Sequence, residues 1–158
     1  MSTQHEPISN DLIWEVTRNN NSFLVKRKQA GGVQFSRDPY NLTNKHARKY
    51  EGYCNDQAIS IQPDSNTVAI TTKLPKRWNQ PAKSTHTTSF NASTPTRKLY
   101  KSVVNSTAKK GYRPDLRAET VARASAVRQS QRENKKEREA KLRGRKARKN
   151  QADKEASS

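Results

Sequence analysis

The chain has 158 residues, with 32 Lys and Arg against 14 Asp and Glu, so its formal net charge is +18. Leu, Ile, Val and Phe together number 23, about 15% of the chain. This combination is typical of chains that bury too little surface to fold alone, which argues against a self-sufficient two-domain enzyme. The longest apolar runs, such as Phe23-Leu24-Val25, are far shorter than the roughly 20 residues that a membrane span requires.

The charge and the apolar residues are unevenly distributed. Residues 1–75 contain nine basic and seven acidic residues and 15 of the 23 large apolar ones. Residues 76–158 contain 23 basic and seven acidic residues and only eight of the large apolar ones. Such asymmetry predicts a small folded region followed by a basic region that binds a polyanion. The alternative is a basic disordered tail without a particular partner.

The first third of the chain predicts one helix followed by short strands. Capping and periodicity predict a helix over Asp11–Arg18. Alternating polarity predicts strands over Ser22–Lys28 and Val33–Ser36, on either side of a glycine turn. A third strand is predicted over Tyr50–Cys54.

A hairpin follows, with strands over Ala58–Gln62 and Thr67–Lys73 flanking the turn residues 63–66. Its alternating apolar residues are Ile59, Ile61, Val68 and Ile70. We expect the Asp11–Arg18 helix to cover the apolar face of this sheet. The predicted fold class is therefore α+β, with a small mixed or antiparallel sheet, a packed helix, and basic C-terminal helices extended over the predicted polyanion.

Helices are predicted to dominate the rest of the chain. A segment rich in Pro, Ser and Thr spans 75–96 and includes a possible strand over Thr85–Phe90. A helix from Pro95 to about Ala108 carries the apolar stripe Leu99, Tyr100, Val103 and Val104. Another helix begins near Asp115, and the sequence is polar after Gln131. The predicted divisions are an N-terminal extension (1–10), an α+β domain (11–92), a basic helical region (93–132) and a basic tail, helical or disordered (133–158).

No acidic residue occurs in the 50 residues between Asp64 and Asp115. Within this stretch, Lys76-Arg77-Trp78 combines two cations with a flat ring that can stack on an unpaired base. The alternative is that Trp78 covers the end of the core.

Lys109, Lys110 and Arg113 precede the predicted start of the last helix. The exposed backbone N–H groups at a helix start favour phosphate. The alternative is an ordinary joint between helices with exposed lysines.

Residues that support catalysis or metal binding are sparse. The three histidines share no ligand spacing, and a single cysteine, Cys54, indicates a reducing compartment. No phosphate-binding glycine loop or nucleophile motif occurs, so we expect no catalytic residue, metal or cofactor. His46, among three cations, is interpreted as an RNA-facing or surface residue. The N-terminal residues lack the pattern of a secretory signal.

Several blocks resemble the eukaryote-specific large-subunit ribosomal protein twenty-eight family. They are Trp14–Arg27 (WEVTRNNNSFLVKR), Phe35–Leu42 (FSRDPYNL) with Tyr50 and Gly52 after it, Tyr112–Arg117 (YRPDLR) and Arg123–Ala126 (RASA). The blocks follow the family's order and span about residues 12–130. The resemblance implies a structural, non-catalytic protein of the cytosolic large subunit. A nucleolar ribosome-assembly factor with a similar N-terminal domain is the alternative.

The implied partners are large-subunit ribosomal RNA and neighbouring ribosomal proteins, with no membrane and no small-molecule substrate. The implied location is the cytoplasmic ribosome, after transit through the nucleus and nucleolus. The family blocks and the basic clusters together give the predicted RNA-binding residues Arg18, Lys26, Arg27, Lys76, Arg77, Trp78, Lys109, Lys110, Arg113, Arg117, Arg123 and Arg128. We expect binding mainly through phosphate neutralisation, with the basic tail gaining order on RNA.

Overall fold

The computed structural model describes residues 8–29 and 31–132, together with the single residues 144, 145 and 149. Its helices within these residues are α1 (Asn10–Thr17), α2 (Thr96–Ser106) and α3 (Arg117–Ser130). Its strands are β1 (Leu24–Lys26), β2 (Gln34–Ser36), β3 (Ile59–Asp64), β4 (Thr67–Lys73) and β5 (Thr85–Asn91). Most of the predicted N-terminal extension and nearly all of the predicted tail therefore lie outside the described residues.

The strands form two antiparallel sheets, which confirms the predicted α+β class. β1 and β2 pair as a two-stranded sheet, with Val25 opposite Phe35. The other sheet has the order β3-β4-β5, with Ile61 opposite Ile70. This register places the alternating apolar residues of the predicted hairpin on one face.

One hydrophobic core joins the three-stranded sheet to the C-terminal helices. Its buried members are Leu42, Ile59, Ile61, Val68, Ile70, Leu99, Val103, Leu116, Ala124 and Val127. α3 packs against β3, and α2 packs against α3. The predicted stripe on α2 is confirmed by Leu99 and Val103, which are fully buried. Residues on both sides of position 92, the predicted end of the α+β domain, thus share one core.

The prediction that the first helix covers this sheet is wrong. No residue of α1 is buried, and Leu12 and Val16 are 57% and 72% exposed. α1 instead rests on the irregular segment that follows β2: the ring of Trp14 lies 5.0 Å from that of His46. The physical reason is that α3, with α2 packed against it, contributes buried apolar side chains to the core of this sheet, whereas α1 contributes none.

The predicted strand over Tyr50–Cys54 is also wrong, since this stretch consists of bends and turns. Its backbone is held by the buried Asp38, whose Oδ2 accepts hydrogen bonds from the N–H groups of Gly52 (2.8 Å) and Tyr53 (2.9 Å). A Cβ atom at Gly52 would lie 2.1 Å from the Cβ of Tyr40, so only glycine fits. A carboxylate therefore satisfies N–H groups that a strand would have paired with a neighbouring strand.

Two left-handed residues shape the joint between α2 and α3. Gly111 has φ +73° and Arg113 has φ +47°. A single 3₁₀ turn, Pro114–Leu116, follows and leads directly into α3, which begins at Arg117, two residues after the predicted start near Asp115. This joint directs the Tyr112 hydroxyl to the backbone of Ala58 and Lys73, and the Arg113 guanidinium to the carbonyl oxygens of Gln57 and Lys49.

Candidate nucleic-acid interface

Arg18, Lys26 and Arg27 lie around the turn between α1 and β1. The Lys26 Nζ donates a hydrogen bond to the carbonyl oxygen of Asn19, which places the ammonium beside Arg18. The Arg18 guanidinium is half exposed and lies 3.5 Å from the Glu15 carboxylate, a pairing that weakens its charge toward an external anion. Arg27 is exposed. Arg18 and Lys26 therefore both lie at this turn, and Arg27 follows Lys26 directly.

Lys76, Arg77 and Trp78 lie on the connection between β4 and β5, where Pro75–Arg77 form a 3₁₀ turn. All three side chains are exposed, and Trp78 is 66% exposed. The interpretation of Trp78 as a cover for the core is therefore wrong. An exposed ring beside two cations is an arrangement suited to unpaired nucleotides.

Lys109, Lys110 and Arg117 lie around the joint between α2 and α3, and all three are exposed. The two lysines occupy a 3₁₀ turn, Ala108–Lys110, whose last residue precedes the left-handed Gly111. Because their side chains are exposed, the three cations are open to an anion.

Arg113 belongs to the same joint, but its guanidinium is directed into the protein. Its side chain is 16% exposed and donates to the carbonyl oxygens of Gln57 (3.0 Å) and Lys49 (2.8 Å). It also forms a two-bond pair with the Asp115 carboxylate, in which both N–O distances are 2.9 Å. The hydrogen bonds from Arg113 lower the pKa of Asp115 below its ordinary value.

The Arg113–Asp115 pair places a carboxylate at the start of the last helix, where the sequence predicted a phosphate site. The Asp115 carboxylate lies in the turn that leads into α3, and Glu119 lies in the first turn of α3 itself. Carboxylates at a helix start interact favourably with the exposed N–H groups and oppose a second anion there. The exposed lysines of the joint are therefore better placed than the helix start to contact phosphate.

Arg123 and Arg128 lie on α3 and face the protein. The Arg123 Nε is 3.4 Å from the Ile61 carbonyl oxygen, and the Arg123 side chain is half-buried. Arg128 is 8% exposed, and its Nη2 donates to the carbonyl oxygens of Thr94 (2.8 Å) and Ala92. A guanidinium enclosed by carbonyl oxygens uses its N–H donors to hold the backbone in place. An RNA contact by Arg128 therefore remains a prediction that this geometry does not favour.

The outer face of α2 adds cations that the list of predicted contacts omitted. Arg97, Lys98 and Lys101 are exposed, whereas Leu99 and Val103 on the opposite face are fully buried. The helical spacing of these cations relative to the apolar stripe was visible in the sequence. Together with Lys109 and Lys110, they extend the basic surface from α2 to the following joint.

The His46 side chain is largely buried, so its interpretation as a surface residue is wrong. Its side chain is 8% exposed; its Nδ1 lies 3.2 Å from the Glu51 Oε1 and its Nε2 lies 2.8 Å from the Arg18 carbonyl oxygen. Glu51 is fully buried and accepts a hydrogen bond from the Ser36 hydroxyl. Burial raises the pKa of Glu51, against the effect of the hydrogen bonds from Ser36 and His46. These groups fix the position of α1 and with it the turn that carries Arg18.

The described part of the chain contains no group of three or more His, Cys, Asp or Glu side chains that could hold a metal ion. In the same part, no helix has the length and apolar character needed to cross a membrane.

Comparison with known proteins identifies the family. The Ribosomal L28e protein family matches residues 12–130. The chain is 46% identical over 130 residues to the large ribosomal subunit protein eL28 of Schizosaccharomyces pombe, an alignment that covers 81% of this chain and 96% of the relative. It is 34% identical over 129 residues to the protein of the same name from Dictyostelium discoideum, with 82% and 93% covered. The chain therefore belongs to the Ribosomal L28e protein family.

Proposed function

We propose that this chain is a structural constituent of the cytosolic large ribosomal subunit that binds and stabilises ribosomal RNA. Membership of the L28e family carries the ribosomal part of this proposal, since the relatives are named as large-subunit proteins. The exposed, acid-poor surface from α2 to Lys110 supports the RNA part. On this view the protein contributes to translation by holding RNA and neighbouring ribosomal proteins in place, not by catalysis.

The proposed mode of binding is neutralisation of phosphates by exposed cations. The best-placed contacts are those whose charge is not used inside the protein, namely Arg27, Lys76, Arg77, Lys109, Lys110 and Arg117. Arg113, Arg123 and Arg128 would then support the surface from within. Each phosphate contact adds to the salt dependence of binding, because counterions are released from the RNA.

Sedimentation of the tagged full chain tests the proposal. A structural constituent remains on mature large subunits and on complete ribosomes after a moderate salt wash, in one copy per subunit. An assembly factor is instead found only on precursor particles in the nucleus and nucleolus. Detection on precursors alone would replace the proposed function by this alternative.

The salt dependence of RNA binding tests the contacts. We expect replacement of both Lys109 and Lys110 by Ala to reduce the slope of log K against log salt by roughly 1 to 2. Replacement of the exposed, uncharged Gln129 by Ala serves as the matched control and leaves the slope unchanged. Stronger binding to duplex DNA than to ribosomal RNA fragments at equal salt would contradict the proposal.

A further inference from the structure

The ring of Trp78 borders a cleft of about 400 Å³ that the proposed phosphate contacts do not use. The cleft lies between the start of α1, the segment around Asp56, and the connection that leads from β4 to β5. Its volume falls within the range of about 300–1,000 Å³ typical of sites for small organic groups. A planar ring of the size of a nucleobase fits in such a space.

Part of the cleft lining is apolar and aromatic. Ile13, Leu74, Pro75 and Trp78 contribute to it. Trp78 is the most exposed aromatic side chain of the described residues and packs on no core. Exposure of so large an apolar surface is unfavourable, and its flat face offers a stacking platform for another ring.

The lining of the cleft also includes hydrogen-bonding groups, among them the Asp56 carboxylate. The Asp56 Oδ2 accepts a hydrogen bond from the Asn10 Nδ2 at 2.8 Å. Asp56 is exposed, and no Lys or Arg of the described residues forms an ion pair with it, so its carboxylate retains capacity to accept further hydrogen bonds. A carboxylate repels phosphate but accepts hydrogen bonds from the exocyclic amino group of a base.

Two of the predicted RNA-binding cations lie beside the cleft and not within it. Lys76 and Arg77 precede Trp78 directly and are exposed, but they do not line the cleft. Lys73 does line it, and its Nζ is held by the carbonyl oxygens of Gly52 (2.7 Å) and Asn55 (3.3 Å). We therefore expect phosphate groups to lie outside the cleft, beside Lys76 and Arg77, and a polar ring to lie within it.

We propose that this cleft binds one unpaired RNA nucleobase bearing an exocyclic amino group, stacked on Trp78 and donating a hydrogen bond to Asp56. The proposal rests on the proposed function, because it assumes that RNA is the partner. Such a site would allow the protein to recognise single-stranded RNA, whereas the exposed cations contact only phosphates. Lys76 and Arg77 would hold the phosphates on either side of the extruded nucleotide.

Binding of the full chain to labelled oligocytidylate, oligouridylate and an RNA duplex of equal length tests this site. Cytosine carries the amino group that uracil lacks, so the intact protein should bind oligocytidylate more tightly than oligouridylate. Trp78→Ala should weaken binding of oligocytidylate about five- to a hundredfold, as expected for loss of one stacked base. Binding of the duplex should remain unchanged, since its bases are not available for stacking.

Two further variants separate the role of the ring from that of the carboxylate. Trp78→Phe keeps an aromatic face and should retain part of the affinity, while Asp56→Ala, which removes both acceptor oxygens, should abolish the preference for cytosine over uracil. Phe35→Ala, which removes an aromatic ring that is 48% exposed on β2, is the matched control and should change neither property. If Trp78→Ala does not fold, as judged by circular dichroism, Trp78→Phe and Asp56→Ala carry the test.

The outcomes distinguish the two proposals. Equal affinity of the intact protein for the two oligonucleotides, or equal effects of the Trp78 variants on single-stranded and duplex RNA, would overturn the base site alone. Absence of binding to every RNA, ribosomal fragments included, would overturn the proposed function together with the site.

Discussion

Arg113 and Asp115 form a two-bond ion pair, with both N–O distances at 2.9 Å, directly before the last helix. The same guanidinium donates to the carbonyl oxygens of Gln57 and Lys49. It therefore links the joint between α2 and α3 to two other parts of the chain. A residue that resembled an RNA contact by sequence is instead held mostly inside the protein.

This pair predicts a pH dependence of stability. The pKa of Asp115 is lowered by its hydrogen bonds from Arg113, from an ordinary value of 3.8. A lowered folded-state pKa means that the stabilisation is present above the unfolded-state pKa and is lost as the pH falls through the folded-state pKa. Because the Asp115 side chain is 42% exposed, we expect its charge to contribute at most about 1 kcal/mol to the free energy of unfolding.

Urea unfolding of the wild type and of Asp115→Asn measures this effect. At neutral pH the variant should be less stable, and the difference should shrink as the pH falls below the ordinary range of carboxyl groups. A difference that is constant with pH would show that the charge of Asp115 does not stabilise the fold.

Removal of the Tyr112 hydroxyl should lower stability more than removal of the Asp115 charge does. It accepts a hydrogen bond from the Ala58 N–H at 3.0 Å and lies 2.9 Å from the carbonyl oxygen of Lys73. Tyr112→Phe leaves these backbone groups without their partner, which should lower the free energy of unfolding by roughly 1–3 kcal/mol. Chemical denaturation measures the loss. Tyr100→Phe is the matched control, since the Tyr100 hydroxyl makes no hydrogen bond within the described residues.

Arg128 provides a test of the distinction between supporting and contacting cations. Its guanidinium donates hydrogen bonds to the carbonyl oxygens of Asn91, Ala92 and Thr94. These bonds hold the loop between β5 and α2 against α3. Arg128→Ala should destabilise the protein by roughly 1–3 kcal/mol, and Arg128→Lys should recover only part, because an ammonium lacks the planar fork.

The matched control for Arg128 is Arg132→Ala, which removes an exposed cation four residues later and should leave stability within about 0.5 kcal/mol. RNA affinity measured at a temperature where all variants are folded completes the test. A loss of affinity for Arg128→Ala with no loss of stability would assign Arg128 to the RNA surface.

The single cysteine should be unreactive in the folded protein. Cys54 is 2% exposed, and burial raises the pKa of its thiol. Since the thiolate is the reactive form, a disulfide reagent should modify Cys54 at least on the order of a hundredfold more slowly in the native chain than in denaturant. Absorbance of the released thiol follows the reaction. Rapid modification under native conditions would show that the segment around Cys54 opens readily.

The sequence by itself determined much of the local structure and the character of the partner. Alternation of Ile59 and Ile61 with polar neighbours defined β3, and the apolar stripe at Leu99 and Val103 defined the buried face of α2. These patterns are local, because the periodicity of a helix or strand determines which side chains share a face. The family was also recognisable from the order of its sequence blocks.

The tertiary structure alone decided which elements pack together and which cations remain available. α2 and α3 cover the sheet instead of α1, and Arg113 and Arg128 are enclosed by carbonyl oxygens that lie 34 to 64 residues away in the chain. Charge composition does not distinguish an arginine that faces carbonyl oxygens inside the protein from one that faces solvent. The physical reason is that long-range hydrogen bonds depend on where distant backbone segments meet, and no local pattern in the sequence encodes that meeting point.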